Sequence, residues 1–167
     1  MVHMSAVEDP RWLTADERAA WLALLSTTIL LPGAIEGPLQ QLAKLSLFDY
    51  NVLAMLSEAS DGTLPMSELA ARTSASLSRL SHVAKKLQAR GLVDRDAHPG
   101  DARVTAASIT AAGRALVADV APQHVETVRA LIFDRLDERD VADLARIGRK
   151  VVSGMDANHW ILRTPAP

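Results

Sequence analysis

The sequence predicts a mainly α-helical (α+β) fold: a winged helix-turn-helix core lying between N- and C-terminal helices. Segments with helix-start signals and helical spacing of apolar residues follow one another along most of the 167 residues. A short helix, a tight break and an amphipathic helix are expected between residues 66 and 91. Two strand-like segments separated by a proline-glycine turn follow directly, as in a wing.

Composition limits the class of protein. The chain has no cysteine, which excludes disulfides and thiolate metal sites, and its net charge is −2. The longest apolar stretch, residues 22–35, contains Pro32-Gly33 and polar residues, so we expect no membrane span. The N-terminus has no signal-peptide pattern, and a cytoplasmic location is therefore expected.

The first two helices are marked by their N-terminal caps. Thr14 and Glu17 form a capping-box pattern, while Pro32-Gly33 and Gly37-Pro38 are expected to kink or interrupt the helix that follows. Ser46 is the predicted N-cap of the second helix, with Asp49 in the first turn. We expect Gly62 to close that helix.

The predicted helix-turn-helix has a short helix capped by Ser67, a break at Thr73-Ser74 and a longer helix ending at Gly91. The longer helix has one apolar stripe, which we expect to face the core: Leu80, Val83, Ala84 and Leu87. The opposite face has hydroxyls toward its N-terminus and cations toward its C-terminus, which suits insertion into a DNA major groove. The candidate DNA contacts on this helix are Ser76, Ser78, Arg79, His82, Lys85 and Lys86.

Charge is unevenly distributed along the chain. Between Arg72 and Arg103 there are seven basic residues and three aspartates, whereas the rest of the chain is net acidic. A basic segment on an acidic chain is typical of a DNA-contacting face, and an ordinary solvated helix face would have the same pattern.

The predicted wing is the ribbon GLVDRD–HPGD–RVTAASI. Asp101 and Arg103 are two residues apart on its returning strand, so their side chains emerge on the same face. The carboxylate can then orient the guanidinium toward a narrow minor groove. The alternative is a surface ion pair with no function.

The C-terminal helices are predicted to begin at caps Thr110 and Asp137. Both have apolar stripes that a winged core of this size has little surface to cover. Pairing with a second chain would bury them, so these helices are expected to form a dimerisation arm.

Several motifs together resemble one family. The segments SELAART, SRLSHVAKKLQARGLVDR, DAR and ITAAGRALV occur in the order and spacing of the multiple antibiotic resistance regulator (MarR) family. Asp101, Arg103, Ile109 and Thr110 match its wing signature, and Ala102 stands where many members have a second arginine.

The resemblance implies a homodimeric transcriptional regulator, usually a repressor, that binds pseudo-palindromic double-stranded DNA and is released by a small aromatic or phenolic effector. It implies a DNA-binding domain at residues 46–110 between dimerisation segments at 1–45 and 111–167. Trp21, Phe48 and Tyr50 are the candidate effector-pocket residues, and core or interface packing is the alternative for them.

Two other classes of protein are alternatives to a DNA-binding regulator. An enzyme is not expected, because the five histidines are scattered and phosphate loops and nucleophile motifs are absent; no catalytic residue, metal or cofactor is predicted. A winged helix that binds a protein partner instead of DNA shares the same pattern. The exposed polar face of the second helix, without aromatic anchors, favours DNA.

Overall fold

A computed structural model describes residues 9–98 and 101–163, without the side chains of residues 97, 98, 101 and 102. It confirms a mostly helical protein with a small three-stranded sheet. The helices are α1 (Ala15–Ala43), α2 (Leu47–Glu58), α3 (Met66–Arg72), α4 (Leu77–Ala89), α5 (Ala111–Leu131), a 3-10 turn (Phe133–Arg135), α6 (Glu138–Met155) and α7 (Trp160–Arg163). The strands are β1 (Thr63–Pro65), β2 (Val93–His98) and β3 (Asp101–Ile109).

Helix α1 is continuous over 29 residues. The Thr14 amide donates to Oε2 of Glu17 at 2.8 Å, and the Glu17 amide donates to Oγ1 of Thr14 at 3.2 Å, which confirms the capping box. The expected interruption at the prolines is wrong, because α1 runs through Pro32 and Pro38. Each proline removes a single backbone donor, and in a helix of 29 residues this loss does not end the helix.

The length of α1 bears on the expectation that the chain has no membrane span. By length and composition the helix could cross a membrane, and only 6% of its most apolar window is buried. The apolar helices of soluble proteins meet the same criterion, so this is weak evidence for a span.

The chain separates into two compact units, Met1–Ala34 and Ile35–Pro167, and α1 belongs to both. The functional segments expected at 1–45, 46–110 and 111–167 stay a prediction. The largest apolar side chains in the core of the second unit are less than 2% exposed and come from α1, the turn after it, α2, α3, α4 and the sheet: Leu39, Leu45, Val52, Leu53, Leu56, Leu69, Leu80, Leu87 and Val93.

The sheet has the order β1-β3-β2, with all neighbours antiparallel. Strand β1 was not predicted, because three residues are too few to show an alternating pattern. Its Thr63 lies opposite Ser108, and their hydroxyls are 2.9 Å apart. Helix α2 ends at Glu58, so Gly62 does not close it; Gly62 has φ +72° and lies in the turn before β1.

Helix α3 begins directly after β1. Its N-cap is Pro65 and no side chain caps it, so the expectation that Ser67 is the cap is wrong. The strand runs straight into Met66, which places Ser67 inside the first turn.

Gly91 ends α4 as predicted. Its φ is +70°, its amide donates to the Gln88 carbonyl at 2.9 Å, and the Leu92 amide donates to the Leu87 carbonyl at 3.0 Å. This pair of bonds is a Schellman motif, which requires a left-handed residue at the position of Gly91. The motif turns the chain into β2.

The junction between the wing and α5 is tightly packed. Thr110 is the N-cap of α5, because its Oγ1 accepts from the Gly113 amide at 3.0 Å, and the same hydroxyl donates to the Gly91 carbonyl at 2.8 Å. A Cβ on Gly113 would collide with the Leu92 carbonyl oxygen. Glycine is therefore needed where α5 crosses the start of β2.

Helix α6 begins at the predicted cap Asp137, which forms a reciprocal capping box with Asp140. None of its residues is buried. Its apolar side chains form an exposed stripe: Val141, Leu144, Ile147, Val151 and Met155.

Candidate nucleic-acid interface

The turn between α3 and α4 is short and hydrogen-bonded. Thr73 Oγ1 donates to the Leu69 carbonyl at 2.7 Å, Ser74 has φ +50°, and the Ala75 amide donates to the Ala70 carbonyl at 2.9 Å. These bonds satisfy backbone groups at the end of α3 while the chain reverses. The break predicted at Thr73-Ser74 is confirmed.

Helix α4 presents the two faces that its sequence predicts. Leu80, Ala84 and Leu87 are 0% exposed and Val83 is 8% exposed. The opposite side chains are exposed: Ser76, Ser78, Arg79, His82, Lys85 and Lys86. Ser76 is also the N-cap, since its Oγ accepts from the Arg79 amide at 3.2 Å.

Arg79 contacts α2 through Phe48. Its guanidinium carbon lies 4.2 Å from the centre of the Phe48 ring, which is within the range of a cation–π interaction. Phe48 is half-buried and Arg79 is exposed. The guanidinium is therefore held at the surface of α4 by an aromatic residue of another helix.

Lys86 contacts α2 through Asp49, the residue that follows Phe48. Its Nζ lies 2.5 Å from Oδ1 and 2.6 Å from Oδ2 of Asp49, whose side chain is 1% exposed. Asp49 also accepts from the Ser46 amide at 2.8 Å, and the Asp49 amide donates to the Ser46 hydroxyl. The predicted N-cap Ser46 is confirmed, and Asp49 completes a capping box with it that was not predicted. The ammonium of Lys86, a predicted DNA contact, is thus engaged within the fold.

Three further hydrogen bonds join the C-terminal end of α1 to this assembly. Glu36 accepts from the Leu47 amide at 2.8 Å through Oε2. At the other end of α4, Arg90 donates to the carbonyls of Ala43 and Lys44 at 2.9 and 3.1 Å. The C-terminal part of α1 thereby contacts both the start of α2 and the end of α4.

The wing is formed by β2 and β3, with an irregularity in the pairing at residues 97 and 98. Arg103 is exposed on β3. The predicted turn residues Pro99 and Gly100, and the side chain of Asp101, lie outside the described residues, so the predicted orienting contact stays a prediction. Arg95 of β2 reaches back to α4 and donates to the Ser81 hydroxyl at 3.4 Å.

The candidate effector residues occupy different environments. Trp21 is 51% exposed on α1, whereas Phe48 lies under Arg79. Tyr50 is 6% exposed, and its ring centre lies 4.4 Å from that of His124 on α5. Burial lowers the pKa of His124; burial and the nearby Glu58 carboxylate raise the pKa of Tyr50.

The segment after α6 returns to the helix-turn-helix. His159 Nε2 lies 3.1 Å from the Ser74 hydroxyl. Trp160 and Arg163 line a cleft of about 430 Å³ together with Glu58, Glu68 and Arg72. The C-terminal segment therefore lies beside the end of α2 and beside α3.

Within residues 9–98 and 101–163 no group of three or more metal-ligating side chains is placed to hold an ion. Sequence reasoning missed the partners of Arg79, Lys86 and Arg95. Arg79 and Lys86 are seven residues apart and therefore lie on the same side of α4. This spacing was the only indication in the sequence that a single helix, α2, could contact both side chains.

Comparisons with known proteins agree with this geometry. A family model described as MarR family matches residues 45–104. Sco3205, a MarR family transcriptional regulator from Streptomyces coelicolor solved in complex with DNA, is 35% identical, with a TM-score of 0.84 over 89% of this chain and 93% of that chain. AbsC, a MarR family transcriptional regulator from the same organism, is 34% identical, with a TM-score of 0.84 over 89% of this chain and 100% of that chain.

BpsR from Bordetella bronchiseptica, whose DNA binding is regulated by 6-hydroxynicotinic acid, is 20% identical, with a TM-score of 0.71 over 84% of this chain and 97% of that chain. This likeness shows the fold alone. A search among curated proteins found no match.

The three-stranded sheet, the helix-turn-helix and the polar face of α4 define a winged-helix DNA-binding transcriptional regulator. The chain belongs to the MarR family.

Proposed function

We propose that this protein is a homodimeric, cytoplasmic repressor that binds a pseudo-palindromic operator and is released by a small aromatic effector. The observation that carries the proposal is the division of α4 into a buried apolar stripe and an exposed face of hydroxyls, imidazole and cations. Such a face offers donors and acceptors to base edges and charge to phosphates.

The side chains of α4 have different roles in this proposal. Ser78 and His82 contact base edges, while Arg79 and Lys85 contact phosphates. Ser76 and Lys86 belong to the same predicted set, but each is already bonded within the protein. Their contribution to DNA binding is mainly to hold α4 in place.

The wing adds a second contact. Arg103 is exposed on β3 and would enter the minor groove, where A·T-rich sequence deepens the negative potential. Asp101 precedes it by two residues and would orient its guanidinium.

The exposed stripe of α6 supports a dimer. Leu144 and Ile147 are 52% and 49% exposed, and a soluble chain gains free energy by covering such a surface. A two-fold dimer would place its α4 helices in successive major grooves, about 34–36 Å apart.

The effector proposal rests on family membership. Of the residues predicted for it, Phe48 and Tyr50 lie in the second compact unit and remain proposed, whereas Trp21 lies in the first unit. 6-Hydroxynicotinic acid, which regulates the DNA binding of BpsR, and other small aromatic carboxylic acids are suitable first compounds.

The experiment is a fluorescence-anisotropy titration of the full chain against duplexes from its own promoter region and against scrambled duplexes, at physiological salt. Selective binding that saturates at one dimer per site supports the proposal. Equal, weak binding to both duplexes would instead favour a winged helix that binds a protein. Adding each compound to the preformed complex tests release.

A further inference from the structure

We propose that Phe48 is a positioning residue for DNA binding: its ring holds the Arg79 guanidinium in the orientation that a DNA phosphate requires. This inference rests on the proposed function, because it assigns a partner to Arg79. Phe48 itself would not touch DNA.

The first step is the contact geometry. With its central carbon 4.2 Å from the ring centre, the guanidinium lies over the face of Phe48. The five N–H donors of a guanidinium lie in its plane and form a rigid fork. The contact with the ring therefore limits the positions of these donors, while the Arg79 side chain stays exposed and accessible to an oxygen from DNA.

The second step is the rigidity of the residue that supports the arginine. Phe48 lies in the first turn of α2, between Leu47, whose amide is bound by Glu36, and Asp49, which bonds the Ser46 amide. Both neighbours of Phe48 are thus fixed by hydrogen bonds to side chains. The ring is attached to a backbone with little freedom.

The third step is that α2 contacts α4 at two points. Phe48 contacts Arg79 and Asp49 contacts Lys86, and these two cations are seven residues apart, which is about 10 Å along a helix. The ion pair fixes the distance between the helices, so that the ring stays beneath the guanidinium. Arg79 is ordered before DNA arrives, and less side-chain entropy is lost when it binds a phosphate.

A double-mutant cycle tests the inference. Operator affinity is measured by anisotropy for the parent chain, F48L, R79A and F48L/R79A, with F48Y as the matched control that keeps the ring. The free energy of a cation–π interaction at an exposed site corresponds to a factor of about two to five in an equilibrium constant. We expect F48L to weaken binding by about this factor per recognition helix, F48Y to match the parent, and F48L to have no effect when Arg79 is already alanine.

Two results would overturn the inference. An equal loss from F48L in the parent and R79A backgrounds would show that Phe48 acts on the fold in general, and tighter binding by F48L would show that the ring withholds Arg79 from DNA. Thermal unfolding of each variant accompanies the cycle, and F48M replaces F48L if the latter does not fold. A parent chain that does not prefer the operator would reject the proposed function, whereas selective binding without coupling rejects only the role of Phe48.

Discussion

The ammonium of Lys86 lies 2.5 Å from the carboxylate of Asp49, whose side chain is 1% exposed at the start of α2. Two adjacent lysines of α4 therefore have different surroundings: Lys86 neutralises a buried charge, whereas Lys85 is exposed on the proposed DNA face. Their substitution should separate stability from DNA binding.

We expect Lys86→Met to destabilise the protein by about 1–3 kcal/mol, because the buried Asp49 carboxylate loses its charged partner. Lys85→Met is the matched control and should leave the free energy of unfolding nearly unchanged. Urea unfolding followed by circular dichroism measures both. Equal stabilities of the two variants would mean that the ion pair contributes nothing.

Lys85→Ala should weaken binding to all DNA sequences alike, since a lysine that contacts a phosphate does not read the sequence. The slope of log affinity against log salt should fall by about one per contact. Ser78→Ala and His82→Ala should instead reduce the preference for the operator over the scrambled duplex. If all three variants lost affinity uniformly, the assignment of roles along α4 would be incorrect.

Arg103→Ala should weaken operator binding at least about tenfold without unfolding the protein, because the residue is exposed on β3. Anisotropy and thermal unfolding are measured on the same preparation. Parental affinity in this variant would exclude a DNA-binding role for the wing arginine.

The stability of the fold should decrease on acidification through His124. Burial lowers the pKa of this imidazole below 6.5, so the folded state favours its neutral form. The contribution is fully present above pH 6.5 and is lost as the pH falls toward the lowered pKa, because the unfolded chain then takes up the proton first. His124→Phe, which keeps a ring against Tyr50, should show a smaller decrease in urea midpoint between pH 7.5 and 5.5.

The parent chain, measured over the same pH range, is the reference for this experiment. The same decrease in the His124 variant as in the parent would assign the effect to other groups.

Leu144→Glu should reduce dimerisation, because it places a charge in the exposed apolar stripe of α6. Arg146→Ala, which removes the exposed ion pair with Asp143 from the same helix, is the control. Sedimentation velocity gives the oligomeric state and anisotropy gives the affinity. A parental sedimentation profile for Leu144→Glu would show that this stripe is not the interface.

Local signals predicted most of the fold. Caps at Ser46, Thr110 and Asp137 and the left-handed Gly91 were identified because each depends on residues adjacent in sequence. The buried stripe of α4 was predicted for the same reason. Such features follow from helical geometry without knowledge of the tertiary structure.

The missed features depend on contacts between distant segments. Residues 63–65 form strand β1 because they pair with β3. Thr63 and Ser108, which lie opposite each other in this pair, are 45 residues apart in the sequence. Lys86 was predicted only as a DNA contact, because its partner Asp49 lies 37 residues earlier and was placed only in the first turn of its own helix. When one side chain makes both a local and a long-range interaction, as Asp49 does, the sequence indicates only the local one.

The close approach of Gly113 to the Leu92 carbonyl has a mechanical consequence. With no room for a Cβ and with Thr110 bonded to both sides, the start of α5 and the base of the wing form a stiff joint without a hinge. A rotation of α5 would therefore turn the wing by the same angle. In a dimer joined through its C-terminal helices, the angle between the α5 helices of the two protomers would set the distance between their two Arg103 residues.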